Sequence, residues 1–167
     1  MFKIKLLILL LISLIINSCS PNILNNNSGQ SKFKIDYISG ERDGLNLLNK
    51  LEGHLKLIDL HDDRSTLLIN AEVNNSQDLY ITNIDNTSDR ENIKTTLKIT
   101  ITDLEKNCEV YRYNNFINQY YVIASSEQYS SNKAAITKIK DDNIEYLIND
   151  FISELIYSTL KCNEQSQ

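Results

Sequence analysis

Residues Ile93 to Thr102 alternate without a fault: Ile93, Thr95, Leu97, Ile99 and Ile101 fall on one side, Lys94, Thr96, Lys98, Thr100 and Thr102 on the other. A period of two, filled mainly by β-branched residues, fits a pleated, half-buried strand and no helix. The chain must therefore lay one apolar sheet face against a cover and leave a Thr/Lys face for water or a polar partner. Asp103 to Asn107 reads as a hairpin turn, and Cys108 to Tyr113 as the returning strand. The register of that strand is open, because a slip of one residue exchanges Val110 for Tyr111 and Tyr113 on the core face. Val110 inward is favoured, with Tyr111 and Tyr113 outside beside Lys98.

The flanking segments supply a cover and further strands. Upstream, Leu67, Ile69, Ala71 and Val73 share one face, Asn74, Asn75 and Ser76 interrupt, and Leu79 and Ile81 resume. This predicts one strand with a break or bulge at Asn74 and Asn75, or two short strands in line. Earlier still, Lys32 to Tyr37 predicts a strand with Phe33, Ile35 and Tyr37 on one side. After a turn at Ser39 and Gly40, Leu48, Leu51 and Leu55, supported by Leu47, repeat at helical spacing in a segment weakened by Gly44 and Gly53. Downstream, Asn114 to Tyr121 reads as a polar crossing. A long helix follows, from near Ser125 to about Leu160, with Ser125 or Ser126 and Gln128 as capping residues. Its apolar stripe is Ile144, Leu147, Ile148, Phe151, Ile152 and Leu155. The fold class is therefore α+β: a mixed, largely antiparallel sheet of about four strands with two helices packed on one face, in β-α-β-β-β-α order.

The first nineteen residues carry an address. Lys3 and Lys5 precede an apolar run from Leu6 that continues, broken by Ser13, to Ile16. That run is about a dozen residues, short of the roughly 20 needed to span a bilayer as a helix. It reads as an export signal. The closing tetrapeptide Ile16-Asn17-Ser18-Cys19 resembles a lipoprotein box, which implies removal of residues 1–18 and lipidation of Cys19 as the new N-terminus. Acyl burial is worth about 0.8 kcal/mol per CH₂, so several chains anchor durably. Ser20 stands where similar lipoproteins retained in the inner membrane carry Asp, which leans toward the outer membrane. Residues 19–31, rich in Asn and Ser, read as a flexible tether, residues 32–161 as one α+β domain, and residues 162–167 as a tail.

The signal holds two lysines and no acid, so the mature chain of about 149 residues carries a net charge of −7. This disfavours a general nucleic-acid or anionic-surface binder. Of the titratable clusters, His61, Asp62 and Asp63 are consecutive and cannot all point into one site, and His54 is the only other histidine. These residues and nearby acids are the only candidates for an enzyme. Leu57 to Arg64 reads instead as a solvated connector. Asp85 to Asp89 faintly matches the start of a calcium loop but lacks its glycine and closing acid, so it reads as a turn. No catalytic residue, metal site or cofactor is expected.

Several ordered motifs resemble one family. Arg42-Asp43-Gly44-Leu45-Asn46-Leu47-Leu48 through Leu51, the arginine-led strand Arg90 to Leu104, the aromatic pair Tyr120 and Tyr121 followed by Ser125 to Tyr129, and Lys133-Ala134-Ala135 opening the last helix are similar to the LPS-assembly lipoprotein of the outer-membrane LPS translocon, the LptE type. The hairpin turn departs from the family's Thr-Gly, having Lys106 and Asn107. The resemblance implies a non-enzymatic lipoprotein, on the periplasmic face of the outer membrane, that assembles with a large β-barrel translocon and assists lipopolysaccharide transport. A polar strand face suits a polar barrel lumen. If lipopolysaccharide phosphates are touched directly, Arg90, Lys94, Lys98 and Arg112 are the candidate cations, the alternative being ordinary solvated strand charges. Cys108 and Cys162 remain as an even pair in an oxidising compartment. The last strand leaves Cys108 and the long helix returns to Cys162, so a disulfide is expected, the alternative being two free thiols. A lipid-anchored binding or scaffold module with another protein partner is the competing function.

Overall fold

A computed structural model describes residues 31–81, 89–122 and 129–162. Cys19 with its signal, residues 19–30 of the tether, the Asp85 to Ser88 turn and the capping residues Ser125, Ser126 and Gln128 lie outside the described residues. The order is β1 (Lys34–Ser39), α1 (Glu41–Leu57), β2 (Leu67–Ile81), β3 (Asp89–Asp103), β4 (Cys108–Val122) and α2 (Tyr129–Tyr157). The four strands form one sheet in the order β1-β2-β3-β4. β1 pairs parallel with β2, and the other two ladders are antiparallel. This is the expected α+β class.

The faultless alternation of β3 becomes a division between two environments. Ile93, Thr95, Leu97, Ile99 and Ile101 are buried, while Lys98 on the opposite face is exposed. Ile69, Ala71 and Val73 stand opposite Ile101, Ile99 and Leu97 on the inner face. The α2 stripe Ile144, Leu147, Ile148, Phe151, Ile152 and Leu155 closes over them, joined by Leu47, Leu51 and Leu55 of α1. The α1 stripe therefore runs through Gly44, Leu47, Leu51 and Leu55, and Leu48 is only half-buried. α2 ends at Tyr157, short of Leu160, where the Ser158 N–H and hydroxyl both donate to the Leu155 carbonyl.

Three local expectations are overturned by main-chain pairing. In β1 the register shifts between Ile35 and Tyr37, so Asp36 is an extra residue. Ile38 then packs against the core and Tyr37 turns outward, 64% exposed. The connector before β2 is not a solvated loop. Phe33 donates to the Leu60 carbonyl at 2.8 Å, Asp62 donates to the Phe33 carbonyl at 2.9 Å, and Leu60 is buried. Third, β2 has no break at Asn74 and Asn75: its ladder with β3 runs unshifted from Leu67 opposite Asp103 to Ile81 opposite Asp89.

Asn75 stays in the strand because the inner face offers it partners. Its amide donates to Asp43 of α1 at 2.7 Å, and its carbonyl accepts from the Thr95 hydroxyl at 2.5 Å. The buried Asn143 of α2 donates to the Thr95 oxygen at 3.0 Å. One polar chain thus crosses the layer through α1, β2, β3 and α2. A buried polar group costs roughly 1–3 kcal/mol if it loses its partner, so the chain fixes the helices against the sheet.

The expected crossing from Asn114 to Tyr121 is strand: β4 runs unbroken to Val122. Its register question resolves through a bulge. Ile101 faces Tyr111 while Thr102 faces Glu109, leaving Val110 as the extra residue. Val110 and Tyr113 are therefore both buried, and Tyr111 packs against the core, so neither tyrosine lies outside beside Lys98. The Tyr113 ring meets Phe151 edge-on at 5.6 Å, and its hydroxyl donates to Asp150 at 2.8 Å. Asn115 donates to the same Asp150 oxygen at 2.9 Å, and the Tyr111 hydroxyl donates to Glu154 at 3.1 Å. Asn107 takes the left-handed conformation at the β3–β4 turn, φ 51°. Cys108 and Cys162 are joined by a disulfide with a Cα separation of 5.6 Å. Closing a loop of this length is worth about 4 kcal/mol in the chain-entropy model.

Two glycines of α1 behave oppositely. A Cβ on Gly44 would lie 2.9 Å from the Ser39 carbonyl carbon and oxygen, whereas one on Gly53 meets nothing within 4 Å. In urea denaturation, Gly44→Ala is expected to lower the unfolding free energy by about 1–3 kcal/mol. Gly53→Ala is expected to raise it by about 0.5–1 kcal/mol.

Burial, then the Glu154 carboxylate, pushes the Tyr111 hydroxyl from 10.0 up to about 12. Burial and Asp150 push Tyr113 upward as well. The folded state holds these protons more tightly than the unfolded chain. The Tyr111 contribution is therefore complete well below pH 10 and is lost as pH rises through about 12, and that of Tyr113 is lost higher still. Stability followed against pH should fall over that window, and Tyr111→Phe should reduce the fall.

Candidate functional site

β3 and β4 leave one face of the sheet uncovered among the described residues. Because side chains alternate, even-numbered residues of β3 and, beyond the bulge, of β4 point away from both helices. The ladder sets Thr100 opposite Arg112, Lys98 opposite Asn114, Thr96 opposite Phe116, Lys94 opposite Asn118, Asn92 opposite Tyr120 and Arg90 opposite Val122. Arg90, Lys94, Lys98 and Arg112 thus share this face. Along β3 the cations stand four residues, or about 14 Å, apart; Lys98 and Arg112 are diagonal neighbours across the β3–β4 ladder, so the four do not converge on a point.

Their surroundings differ. Lys98 lies 3.6 Å from Glu72 of β2, and Arg112 lies 2.6 Å from Glu109. The Glu109 carboxylate raises the Arg112 pKa. The Lys94 ammonium stands over the Phe116 ring, 4.4 Å from its centre, in a cation–π contact. A phosphate approaching Lys98 or Arg112 competes with a carboxylate already in place. One approaching Lys94 meets an ammonium backed by an aromatic ring.

The surface is not only cationic. Phe116, Tyr120 and Val122 are 53%, 66% and 58% exposed on the same face. Their place on a strand face was missed in the sequence because Asn114, Asn115, Asn118 and Gln119 give the segment the composition of a loop. The available signal was period two at Phe116, Tyr120 and Val122, with Ile117 and Tyr121 on the other side.

Both histidines have structural settings. His54 Nε2 lies 2.7 Å from Glu145 Oε1, and Lys50 bridges Glu145 at 2.8 Å and Asp141 at 3.3 Å, tying α1 to α2. Lys50 is the main cause that holds Glu145 below the usual carboxylate range; for Asp141 the Asn46 amide leads and Lys50 adds. His61 forms a parallel bridge with Phe33, with Asp63 at 3.7 Å. Among the described residues, no group of three or more His, Cys, Asp or Glu is placed to hold a metal ion. An open cleft of about 1280 Å³ separates the first halves of α1 and α2 and is lined by Arg42, Leu45, Lys133 and Lys140 among others.

No protein-family model matches the chain, and no curated protein matches it. Solved structures do resemble it. The minor lipoprotein from Acinetobacter baumannii superposes with a TM-score of 0.57 at 11% identity, covering 80% of this chain and 96% of that one. The rare lipoprotein B from Shewanella oneidensis gives 0.54 at 6% identity, covering 75% and 97%. At such identities the likeness is one of fold: this chain has the architecture of those two lipoproteins.

Proposed function

We propose that the chain is a lipid-anchored outer-membrane lipoprotein that assembles with a β-barrel translocon and assists lipopolysaccharide transport, acting by binding and not by catalysis. The observation that carries this reading is a sheet with one helix-covered face and one open face bearing Thr, Asn, Lys, Arg and exposed aromatic side chains. Such a face suits a polar protein wall or lumen better than bulk lipid, since barrel interiors are polar. The lipoprotein box at Cys19 supports the anchor. The shared fold with the Acinetobacter and Shewanella lipoproteins supports the class.

A second reading keeps the anchor and fold and replaces the barrel by another periplasmic protein. It is favoured by the spread of the four cations, two of which are already paired with acids. A tagged full-length chain purified from detergent-solubilised outer membranes separates the two. The leading reading expects a large β-barrel protein to be recovered with it, and recovery of none rejects it. In the same cells labelled palmitate should enter the chain, and Cys19→Ser should abolish that label.

A further inference from the structure

The disulfide joins two supports of unequal firmness. Cys108 opens β4 and stands opposite Asp103 across the β3–β4 hairpin. The turn between them is braced. The buried Asp103 carboxylate accepts from the Glu105 N–H at 3.0 Å and the Lys106 N–H at 3.3 Å, and the Lys106 ammonium lies 3.0 Å from it. The Leu104 N–H donates to the Thr66 carbonyl at 2.9 Å, which ties the turn to the start of β2. Cys162, by contrast, stands on no regular element. α2 ends at Tyr157, and Ser158 to Cys162 form an irregular strap, of which Leu160 packs against the core. Cys108 is half-buried and Cys162 is exposed.

The end of α2 depends on that strap. A helix leaves its last carbonyls without intrahelical donors, and its C-terminus is stabilised by nearby cations. The last turn of α2 holds no basic residue. Its Leu155 carbonyl is served by the N–H and hydroxyl of Ser158, the first residue of the strap. Yet this end carries Phe151, Ile152 and Leu155 of the core, and Glu154, which accepts from the Tyr111 hydroxyl. The bond therefore fastens a weakly capped helix end, through a mobile-type connection, to the firmest turn of the sheet.

We propose that Cys108 and Cys162 form a redox latch on the folded domain, in which a protein dithiol–disulfide oxidoreductase engages Cys162 and Cys108 resolves the mixed disulfide. In closing, the Cys162 thiolate attacks the oxidoreductase disulfide, and one enzyme thiolate leaves. The Cys108 thiolate then attacks the Cys162 sulfur, and the second enzyme thiolate leaves. The chain gives up two electrons and two protons, and the oxidoreductase departs as a dithiol. Opening is the reverse, begun by an external thiolate on the Cys162 sulfur. Access decides which sulfur of a disulfide exchanges first, and the exposed strap gives that place to Cys162. Cys162 also follows α2 in the chain, so the latch locks only when the last helix lies against the sheet. The inference rests on the exported reading of the chain, because a reducing compartment keeps such thiols open. It does not depend on which protein the open face meets.

The test begins with the purified, oxidised full-length chain in detergent. It is exposed to reduced glutathione, quenched in acid and alkylated, and the adducts are mapped by mass. Glutathione is expected on Cys162, with the free thiol on Cys108, about fivefold or more over the reverse arrangement. Hydrogen exchange of the fully reduced chain should be about tenfold faster at Phe151–Tyr157, with Ile93–Ile101 unchanged. In cells, Cys108→Ser should trap a mixed disulfide between Cys162 and an oxidoreductase, and Cys162→Ser should trap about fivefold less. If Cys108→Ser does not fold, the two measurements on the unsubstituted chain decide. Glutathione equally on both cysteines or chiefly on Cys108, unchanged exchange at the end of α2, or a folded Cys108→Ser chain that traps no oxidoreductase overturns the inference. Failure to recover a barrel partner rejects the function proposed above and leaves these results as they stand.

Discussion

The structure depends on a core with only one wall of sheet. Phe151, Leu147 and Ile148 of α2 bury themselves against Ile99, Ile101 and Leu97 of β3, and α1 adds Leu47, Leu51 and Leu55 to the same side. Each large apolar side chain removed from water contributes about 1.5–3 kcal/mol. That burial lies on one face of the sheet, so side-chain identity on the other face is released from packing. Thr, Lys, Asn and exposed aromatics occupy it as a consequence. The polar chain from Asp43 through Asn75 and Thr95 to Asn143 supplies what apolar contacts lack, a fixed direction. The disulfide between Cys108 and Cys162 holds the first residue of β4 near the end of the chain that follows α2.

This one-sidedness sorts the residues by role. His54, Lys50, Glu145 and Asp141 join the helices to one another. Tyr111, Tyr113 and Asn115 clamp β4 to α2 through Asp150 and Glu154. Neither group covers the open face of the sheet among the described residues. On that face lie the four cations and the exposed Phe116, Tyr120 and Val122. Lys98 and Arg112 are partly offset by Glu72 and Glu109. On the proposed function, a partner at this face would be selected by shape as much as by charge.

The sequence was legible where one period ran without conflict. β3 and the α2 stripe declared themselves because both long-range packing and local spacing asked for the same residues. It was misleading where a polar residue was read as a break. Asn75 stays in β2 because Asp43 and Thr95, distant in sequence, satisfy it. Asn114 to Tyr121 stays in β4 because β3 supplies a complete ladder, whatever the strand propensity of Asn. The bulges at Asp36 and Val110 were invisible for a different reason. Each resets the phase of alternation by one residue, and only the neighbouring strand records it. That is how Tyr37 came out of the core and Tyr113 went into it. Among site residues, Arg90, Lys94 and Lys98 follow the alternation of β3 onto the open face, whereas Arg112 reaches it only through the bulge at Val110. Phe116, Tyr120 and Val122 were hidden by the amides around them.

If the open face forms the partner surface while the helices serve the core, partner binding must change exchange at β4 and not at α1. Hydrogen exchange of the full-length chain, alone and in its membrane complex, measures this directly. Amides from Arg112 to Val122 should slow by about tenfold or more in the complex, with those of Glu41–Leu57 unchanged. Protection confined to the two helices, with β4 exchanging as in the free chain, would contradict it.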